Sequence, residues 1–470
     1  MIGSVIALSG ADGQEPTTAD AVAEADAPPP APAANRVRIK LDVSGEIFAP
    51  AGPDKPQIRE PISVDARFDF VESAAGDAPE GVALRHYADA SAELTIAGQS
   101  SHVALADDAR SVRVALRGTT PTPYLASGFL DRAERDLLET PFDALLLPGL
   151  RPAAAVTMGD AWDVPADVVA GLLAIDTVES GGIRAAVGEI DDERVVLTLT
   201  GTVDGAADGM PTHVVVEGTC VVEIPAGSAG SPVRLDGEVI SVTATLRERR
   251  EAGHVAPGFE VEARLSCVRS KAAAVPPAVH AEGPRRRGDG RPGLLWHRDS
   301  AGRYDLVYDD RWRVIEDGPD GLVMRFVDRG ALVGQCSITA LPPAEPRPPE
   351  LAEVQRDVER SLAGQFDHVV QAAEASRSDG VRIVRVEAAG TAAGRPFRWM
   401  HHVLADDAGH RVALTCMVEQ PLVGRFASAD RDLVDGLEVA PGARSQGAAN
   451  GGESPPRDRE ARVPVKSLTP

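Results

Sequence analysis

The sequence predicts an α+β chain of two domains, a large curved antiparallel sheet wrapped on helices and a smaller antiparallel sheet flanked by helices. Three observations carry this. Apolar side chains recur at every second position through most of both halves, the pattern of half-buried strands. Connections between such runs are short, as at Ile190-Asp191-Asp192-Glu193, and short connections join antiparallel neighbours. The stretch 272–293 has no apolar period and reads as a flexible linker between about 235 and about 150 structured residues.

In the first domain, 36–271, Val37, Ile39, Leu41 and Val43 alternate with Arg38, Lys40 and Asp42. Ile62, Val64, Ala66, Phe68 and Phe70 repeat the pattern, then Leu94 and Ile96, then Val112, Val114 and Leu116. A helix is expected at Asp131 to Thr140. A second starts at Pro165, whose fixed φ suits a first turn, and carries Val168, Val169, Leu172 and Leu173 inward. Strands follow at 183–190, 194–203, 213–224, 233–247 and 259–269. Within 233–247 the apolar phase switches parity at Asp236-Gly237, from Val233 and Leu235 to Ile240, Val242 and Leu246, so a bulge or tight turn is expected there. One face of this meander needs cover, which the two helices would supply. Cys220 lies in phase with Val216 and Val222, and Cys267 with Val261 and Leu265. With a strand between them, both should be buried thiols too far apart for a disulfide.

The second domain, 294–440, shows strands at 304–307, 312–316, 322–327 and 332–340. A helix from Pro349 to Gln365 follows, with Leu351, Val354, Val358 and Leu362 on one face. Further strands come at 369–373, 381–386, 397–404 and 411–418. A last helix, Ser428 to Gly436, could be capped by the Ser428 hydroxyl. The order Tyr304, Trp312-Arg313-Val314, Met324-Arg325-Phe326, Gly334 to Ile338, helix, Phe397-Arg398-Trp399, Val412 to Val418, Phe426 and Leu433 resembles the PsbP-like fold of photosystem extrinsic subunits and small bacterial envelope proteins. The first domain, with Gly159-Asp160-Ala161-Trp162 ahead of a helix and a strand meander, resembles uncharacterised exported bacterial proteins. Its architecture is similar to the open half-barrel of LolA-type lipoprotein carriers. These resemblances imply fold; they carry no catalytic signature.

Charge narrows the function classes. Of the formal −23, residues 1–35 carry −5, while 271–292 carry +3 and 441–470 carry +2. These cancel, so the parts expected to fold bear the whole excess, which repels nucleic-acid backbones and anionic lipid. Four cysteines make no disulfide scaffold, and no apolar run approaches the ~20 residues of a membrane helix. Ile2 to Ala11 resembles the end of a secretory signal whose basic start is missing, which points to a periplasmic or secreted protein, with a cytoplasmic address as the alternative. The acidic Ala/Pro segment up to residue 35 and the tail 441–470 are expected to be disordered.

Chemical motifs are sparse. No GxSxG, HExxH, phosphate loop or EF-hand loop occurs, so no catalytic residue, metal or cofactor is expected. Gly288 to Gly293 spells GxGxxG but has no strand before it, and Arg287-Gly288-Asp289 sits in the same linker. His401, His402 and His410 form one histidine cluster. A four-residue loop Asp406 to Gly409 would set Trp399 opposite Cys416, His401 opposite Leu414 and Val403 opposite Val412. His401 then points into the core and His402 to the surface, so the two cannot share a metal. Asp107-Asp108, Asp191-Asp192-Glu193, Asp309-Asp310 and Asp406-Asp407 fall where turns are expected, and turn chemistry explains them better than calcium.

Three functional readings follow. The preferred one is a non-enzymatic envelope or secreted protein that binds a partner protein or an apolar ligand. The alternatives are a hydrolase-type enzyme with an unrecognised site and a purely structural assembly module.

Overall fold

The computed structural model describes residues 34–48, 58–75, 81–225, 232–253, 257–272, 288–342 and 349–439. The signal-like start, residues 273–287 of the expected linker and the tail 441–470 lie outside them. The chain divides into two compact units, Met1–Leu294 and Leu295–Pro470. No helix among the described residues is long and apolar enough to cross a membrane.

Strands dominate the first unit. These are β1 (Ala34–Phe48), β2 (Arg59–Ala74), β3 (Val82–Ile96), β4 (Gln99–Ala104), β5 (Ser111–Arg117), β6 (Thr120–Tyr124), β7 (Ala161–Asp163), β8 (Thr177–Ile190), β9 (Arg194–Ala207), β10 (Met210–Glu223), β11 (Val239–Arg250) and β12 (Gly258–Ala272). They form one antiparallel sheet in the order β6-β5-β3-β2-β1-β12-β11-β10-β9-β8-β7, with β4 folded back on β3. The alternation along β1 has its expected result: Val37, Ile39, Leu41 and Val43 are buried, while Arg36, Arg38 and Lys40 face solvent. Each such buried aliphatic side chain contributes roughly 1.5–3 kcal/mol.

The buried face is covered mostly by irregular chain. Among the described residues two short α-helices interrupt it, α1 (Arg132–Leu137) and α2 (Ala166–Leu173), with a 3-10 turn at Leu147–Leu150 between them. The Asp131 carboxylate accepts from the Glu134 backbone N–H at 2.8 Å, and Glu134 reaches back to the Asp131 N–H at 3.1 Å. This capping box starts α1 at the expected place. It stops short of Thr140 because Pro141 follows, and a residue before proline avoids helical geometry. The expected strand 233–247 is also corrected. Val233 exchanges backbone hydrogen bonds with Val156 in the covering segment, and Arg151 donates to the carbonyls of Leu235 and Gly237. The strand proper begins at Val239, beside a register shift at Val221/Val222, and this is the origin of the parity switch. A Cβ at Gly237 would lie 1.7 Å from the Glu223 carbonyl oxygen, so only glycine fits there.

The ends of the first unit differ from expectation in the same way. Ala34 and Asn35, expected to be disordered, pair with Ala272 and Lys271. Gly288 and Asp289, expected in the linker, pin to the first unit through Gly128 and Ser127. Pairing neighbours decided both cases, and neither is visible in local composition. Gly290 there sits so close to Leu125 that a Cβ would meet its carbonyl at 1.7 Å, a packing reason for one glycine of the GxGxxG string.

Cys220 and Cys267 each pair with Val242 of the intervening strand β11. Both are fully buried, and burial pushes each thiol up to about 12. Peptide mapping of the non-reduced protein is expected to recover both as free thiols. A Cys220–Cys267 cross-link would contradict the strand order.

The second unit comprises β13 (Leu294–Arg298), β14 (Tyr304–Asp309), β15 (Trp312–Gly318), β16 (Gly321–Asp328), β17 (Ala331–Leu341), α3 (Leu351–Leu362), β18 (Phe366–Ser376), β19 (Arg382–Ala392), β20 (Arg395–Ala405), β21 (Arg411–Glu419), α4 (Val423–Phe426), α5 (Ala429–Gly436) and β22 (Leu437–Val439). Seven strands form an antiparallel sheet in the order β15-β16-β17-β21-β20-β19-β18, and β13-β14-β22 form a small one. Val354, Val358 and Leu362 of α3 pack with Val384, Val386, Ala388 and Trp399. On the other face, α5 reaches the sheet through Asp430, which meets His402 and Arg385. Ser428 does not cap α5 with its hydroxyl, which instead faces Asp432 at 3.4 Å.

Candidate functional site

The expected histidine register is off by one residue. Trp399 pairs with Met417, His401 with Thr415, His402 with Leu414 and Val403 with Ala413. The connection is Asp406 to His410, one residue longer than expected, because Ala405 pairs with Arg411. The Asp406 carboxylate organises it, accepting from the backbone N–H groups of Ala408 and His410 and sitting 2.7 Å from the His410 ring. Burial pushes this carboxyl up, but the hydrogen bonds from His410 and Ala408 outweigh it and hold it below its ordinary range.

His402 faces away from His401 as expected, but α5 covers that face through Asp430, so His402 is not a surface residue. It is 2% exposed, and its Nε2 lies 2.9 Å from Asp430 Oδ2. Arg385 donates to the same carboxylate at 3.2 Å and pairs with Glu387, which also holds Arg398. Burial alone would raise the Asp430 carboxyl, but His402 and Arg385 pull it below its ordinary range. His401 is also buried, on the opposite face, with Nδ1 3.1 Å from Thr415 Oγ1. Burial and the neighbouring His402 push its pKa down to about 4.

A second buried network ties the covering segment of the first unit to its sheet. Arg85 Nε donates to Glu72 at 2.9 Å, and its two other nitrogens donate to Asp143 at 2.8 and 2.6 Å. The guanidinium lies over the Phe70 ring, and Arg269 adds a contact to Glu72 at 3.5 Å. Arg85, Glu72 and Asp143 satisfy one another, while Arg269 Nε stays buried without a hydrogen bond among the described residues, and the network fastens the covering segment to the sheet.

The acidic pairs serve turns. Asp191 Oδ1 accepts from the backbone of Glu193 and Arg194, and Asp309 Oδ1 from that of Arg311; Asp107 opens a single 3-10 turn and pairs with Arg110. Among the described residues no group of three or more His, Cys, Asp or Glu side chains is placed to hold a metal. Of the Arg287-Gly288-Asp289 tripeptide, Arg287 lies outside the described residues.

The best candidate for binding is an arginine-lined open cleft of the second unit that no sequence motif announces. It has a volume of about 590 Å³ and is lined by Arg311, Asp328, Arg329 and Arg425. Local rules build it. Asp328 ends β16 and pairs with Ala331, so Arg329-Gly330 is a two-residue hairpin loop, with φ of 45° and 68°. Positive φ at both positions is the type I′ geometry that matches strand twist. This geometry presents the Arg329 side chain to solvent. Arg311 stands at the β14–β15 junction, where Asp309 holds it at 2.7 Å and the Phe326 ring lies beneath it. Phe326 packs in turn on Trp312 and Phe426, with centroids 5.0 and 5.7 Å away. Phe426 anchors α4 and thereby directs Arg425, which donates to both the carboxylate and the carbonyl of Asp328.

Asp328 thus sits between two guanidinium groups, with Arg311 at 3.7 Å and Arg425 at 3.1 Å. Such partly exposed pairs contribute little stability each, at most about 1 kcal/mol. Arg329 is exposed and has no ion pair or hydrogen bond among the described residues. Asp309 and Asp328 engage Arg311 and Arg425, which leaves the Arg329 donors unused among the described residues, and guanidinium is the donor best matched to a carboxylate or phosphate.

No family model matches the chain, and no curated protein matches it. Among solved structures, cyanobacterial PsbP (CyanoP) from Synechocystis sp. PCC 6803 is similar over 32% of this chain and 93% of its own, at 13% identity and a TM-score of 0.26. Lipovitellin, studied for lipid–protein interactions, is similar over 56% of this chain and 27% of its own, at 8% identity and a TM-score of 0.28. Scores this low carry no argument, and the architecture rests on the strand registers given above.

Proposed function

We propose that this is a non-enzymatic binding protein of the bacterial envelope or secreted space, whose C-terminal unit takes an acidic segment of a partner protein into the arginine cleft. The observation that carries the reading is Arg329, an exposed guanidinium without a partner among the described residues, lining a cleft that holds two more. In a chain of formal charge −23, such a site is local, so the partner is recognised at short range by bidentate hydrogen bonds. The signal-like start and the PsbP-like order of elements in the second unit support the envelope address. The half-barrel likeness of the first unit to LolA-type carriers belongs to the same proposal. An apolar ligand there has less support, because the chain's own Leu137, Phe142, Leu147 and Leu172 are fully buried in the covering segment.

Calorimetric titration of the full chain with a capped tetraglutamate peptide, and separately with inorganic phosphate, tests this. The peptide is expected to bind at low salt. Arg329→Asn, which keeps a residue suited to the turn, and Arg425→Ala should each weaken binding about tenfold or more, the effect of losing a charge-assisted hydrogen bond. Binding that ignores both substitutions would remove the cleft from consideration. Uptake of phosphate alone would replace the protein partner with a small anion.

A further inference from the structure

The four cysteines are not equivalent. Cys220 and Cys267 have a strand between them, whereas Cys336 and Cys416 are paired directly across β17 and β21. Directly opposed residues of an antiparallel pair have Cα atoms about 4.5 or about 5.5 Å apart, according to their place in the ladder. Both values fall within the ~4.4–6.8 Å that a disulfide spans. Both residues are fully buried, and direct pairing across an antiparallel ladder puts their side chains side by side on one face of the sheet.

We infer that Cys336 and Cys416 form a cross-strand disulfide when the chain folds in the presence of a disulfide-form oxidant. The step is ordinary thiol–disulfide exchange. One cysteine thiolate attacks the oxidant's disulfide, forming a mixed disulfide and releasing one oxidant thiol. The second cysteine thiolate then displaces the other oxidant thiol, and the S–S bond closes. Two electrons pass to the oxidant, and the two cysteine protons end on its thiols or in water. Timing follows from burial. In the finished sheet no oxidant reaches either sulfur, and burial holds the Cys416 thiol well above its ordinary range, so it supplies no thiolate. The bond therefore forms while β17 and β21 come together. Chain segments about 80 residues apart in sequence are then joined, which restricts the unfolded chain strongly.

The test is to unfold the full chain under reductant, then refold it in a buffer of reduced and oxidised glutathione or under reductant alone. Peptide mapping should find one bond, Cys336–Cys416, with Cys220 and Cys267 free. Amide exchange in β17 and β21 should place the urea midpoint of the second unit about 1 M or more above that of the reduced form. Cys416→Ala should abolish the difference between the two buffers. The folded, reduced chain should stay reduced when the glutathione buffer is added. Four free thiols after oxidative refolding, a scrambled set of bonds, or a cross-linked form less stable than the reduced one would each overturn the inference. Rapid oxidation of the folded chain would overturn the timing.

Discussion

Arg85→Met is expected to destabilise the first unit by about 3–5 kcal/mol, although methionine has nearly the volume and length to fill the site. Arg85 is 3% exposed and is the only cation that meets both Glu72 and Asp143 among the described residues. Burial acts to lower its pKa, but Asp143 and Glu72 outweigh it and hold the guanidinium firmly charged. Removing the cation strands two carboxylates away from water. Glu72 keeps Arg269, but among the described residues Asp143 keeps only the backbone N–H of Leu145. The double substitution Arg85→Met with Asp143→Asn should therefore recover part of the loss, because an amide carries no charge to desolvate. Urea unfolding followed at Trp162, whose indole donates to the Leu150 carbonyl in the same covering segment, reads the effect. A loss below about 1 kcal/mol would mean that water reaches the carboxylates.

The second large effect is on pH dependence. His401 in the folded chain has its pKa near 4, against 6.5 for an ordinary histidine. The unfolded chain thus takes a proton first. The stability that comes from keeping this ring neutral is fully present above about pH 6.5 and is lost as pH falls towards 4. Across that window the loss is about 3 kcal/mol. His402, Arg385 and Asp430 lie on the opposite face of the sheet. Asp430, held below its ordinary 3.8, loses its contribution only at lower pH, so the two effects separate. His401→Gln, which can keep a hydrogen bond to Thr415, should flatten the dependence between pH 4 and 6.5. Amide exchange in β20 measured across this range is the check. An unchanged slope in His401→Gln would assign the acid sensitivity elsewhere.

Strand positions were legible because alternation is a local signal, and β1, β9 and β16 begin or end within a few residues of where it places them. What escaped the alternation follows from three physical causes. Where both faces of a sheet are buried, sliding a strand by one residue exposes nothing, so apolar pairing cannot choose a register. β20 is such a strand: Trp399, Met400, His401 and His402 are all buried, and a single added loop residue moved every pair. Buried charge is the second cause. Glu72 lies in phase with Ile62 to Phe70, and Arg269 with Phe259 to Cys267. A charged residue on an apolar phase demands a buried counter-ion, and that signal was readable, but its partner Asp143 comes from irregular chain. The third is the arginine cleft, assembled from a hairpin turn, a strand junction and a four-residue helix. No spacing in the sequence joins Arg311, Arg329 and Arg425.

In the first unit's sheet, the earliest strand and the last lie side by side at the centre, with Ala34 opposite Ala272 and Phe48 opposite Gly258. The outermost strands, β6 and β7, are by contrast consecutive in the chain. During synthesis, β1 to β6 and β7 to β12 can each zip locally, but the seam that unites them waits for residue 272 to leave the ribosome. This seam is the strand pairing of greatest sequence separation in the sheet, so its closure is expected to be the slow step of folding. Until then β1 carries an unpaired edge, and a chain ending before Phe259 would keep that edge open to pairing with another molecule.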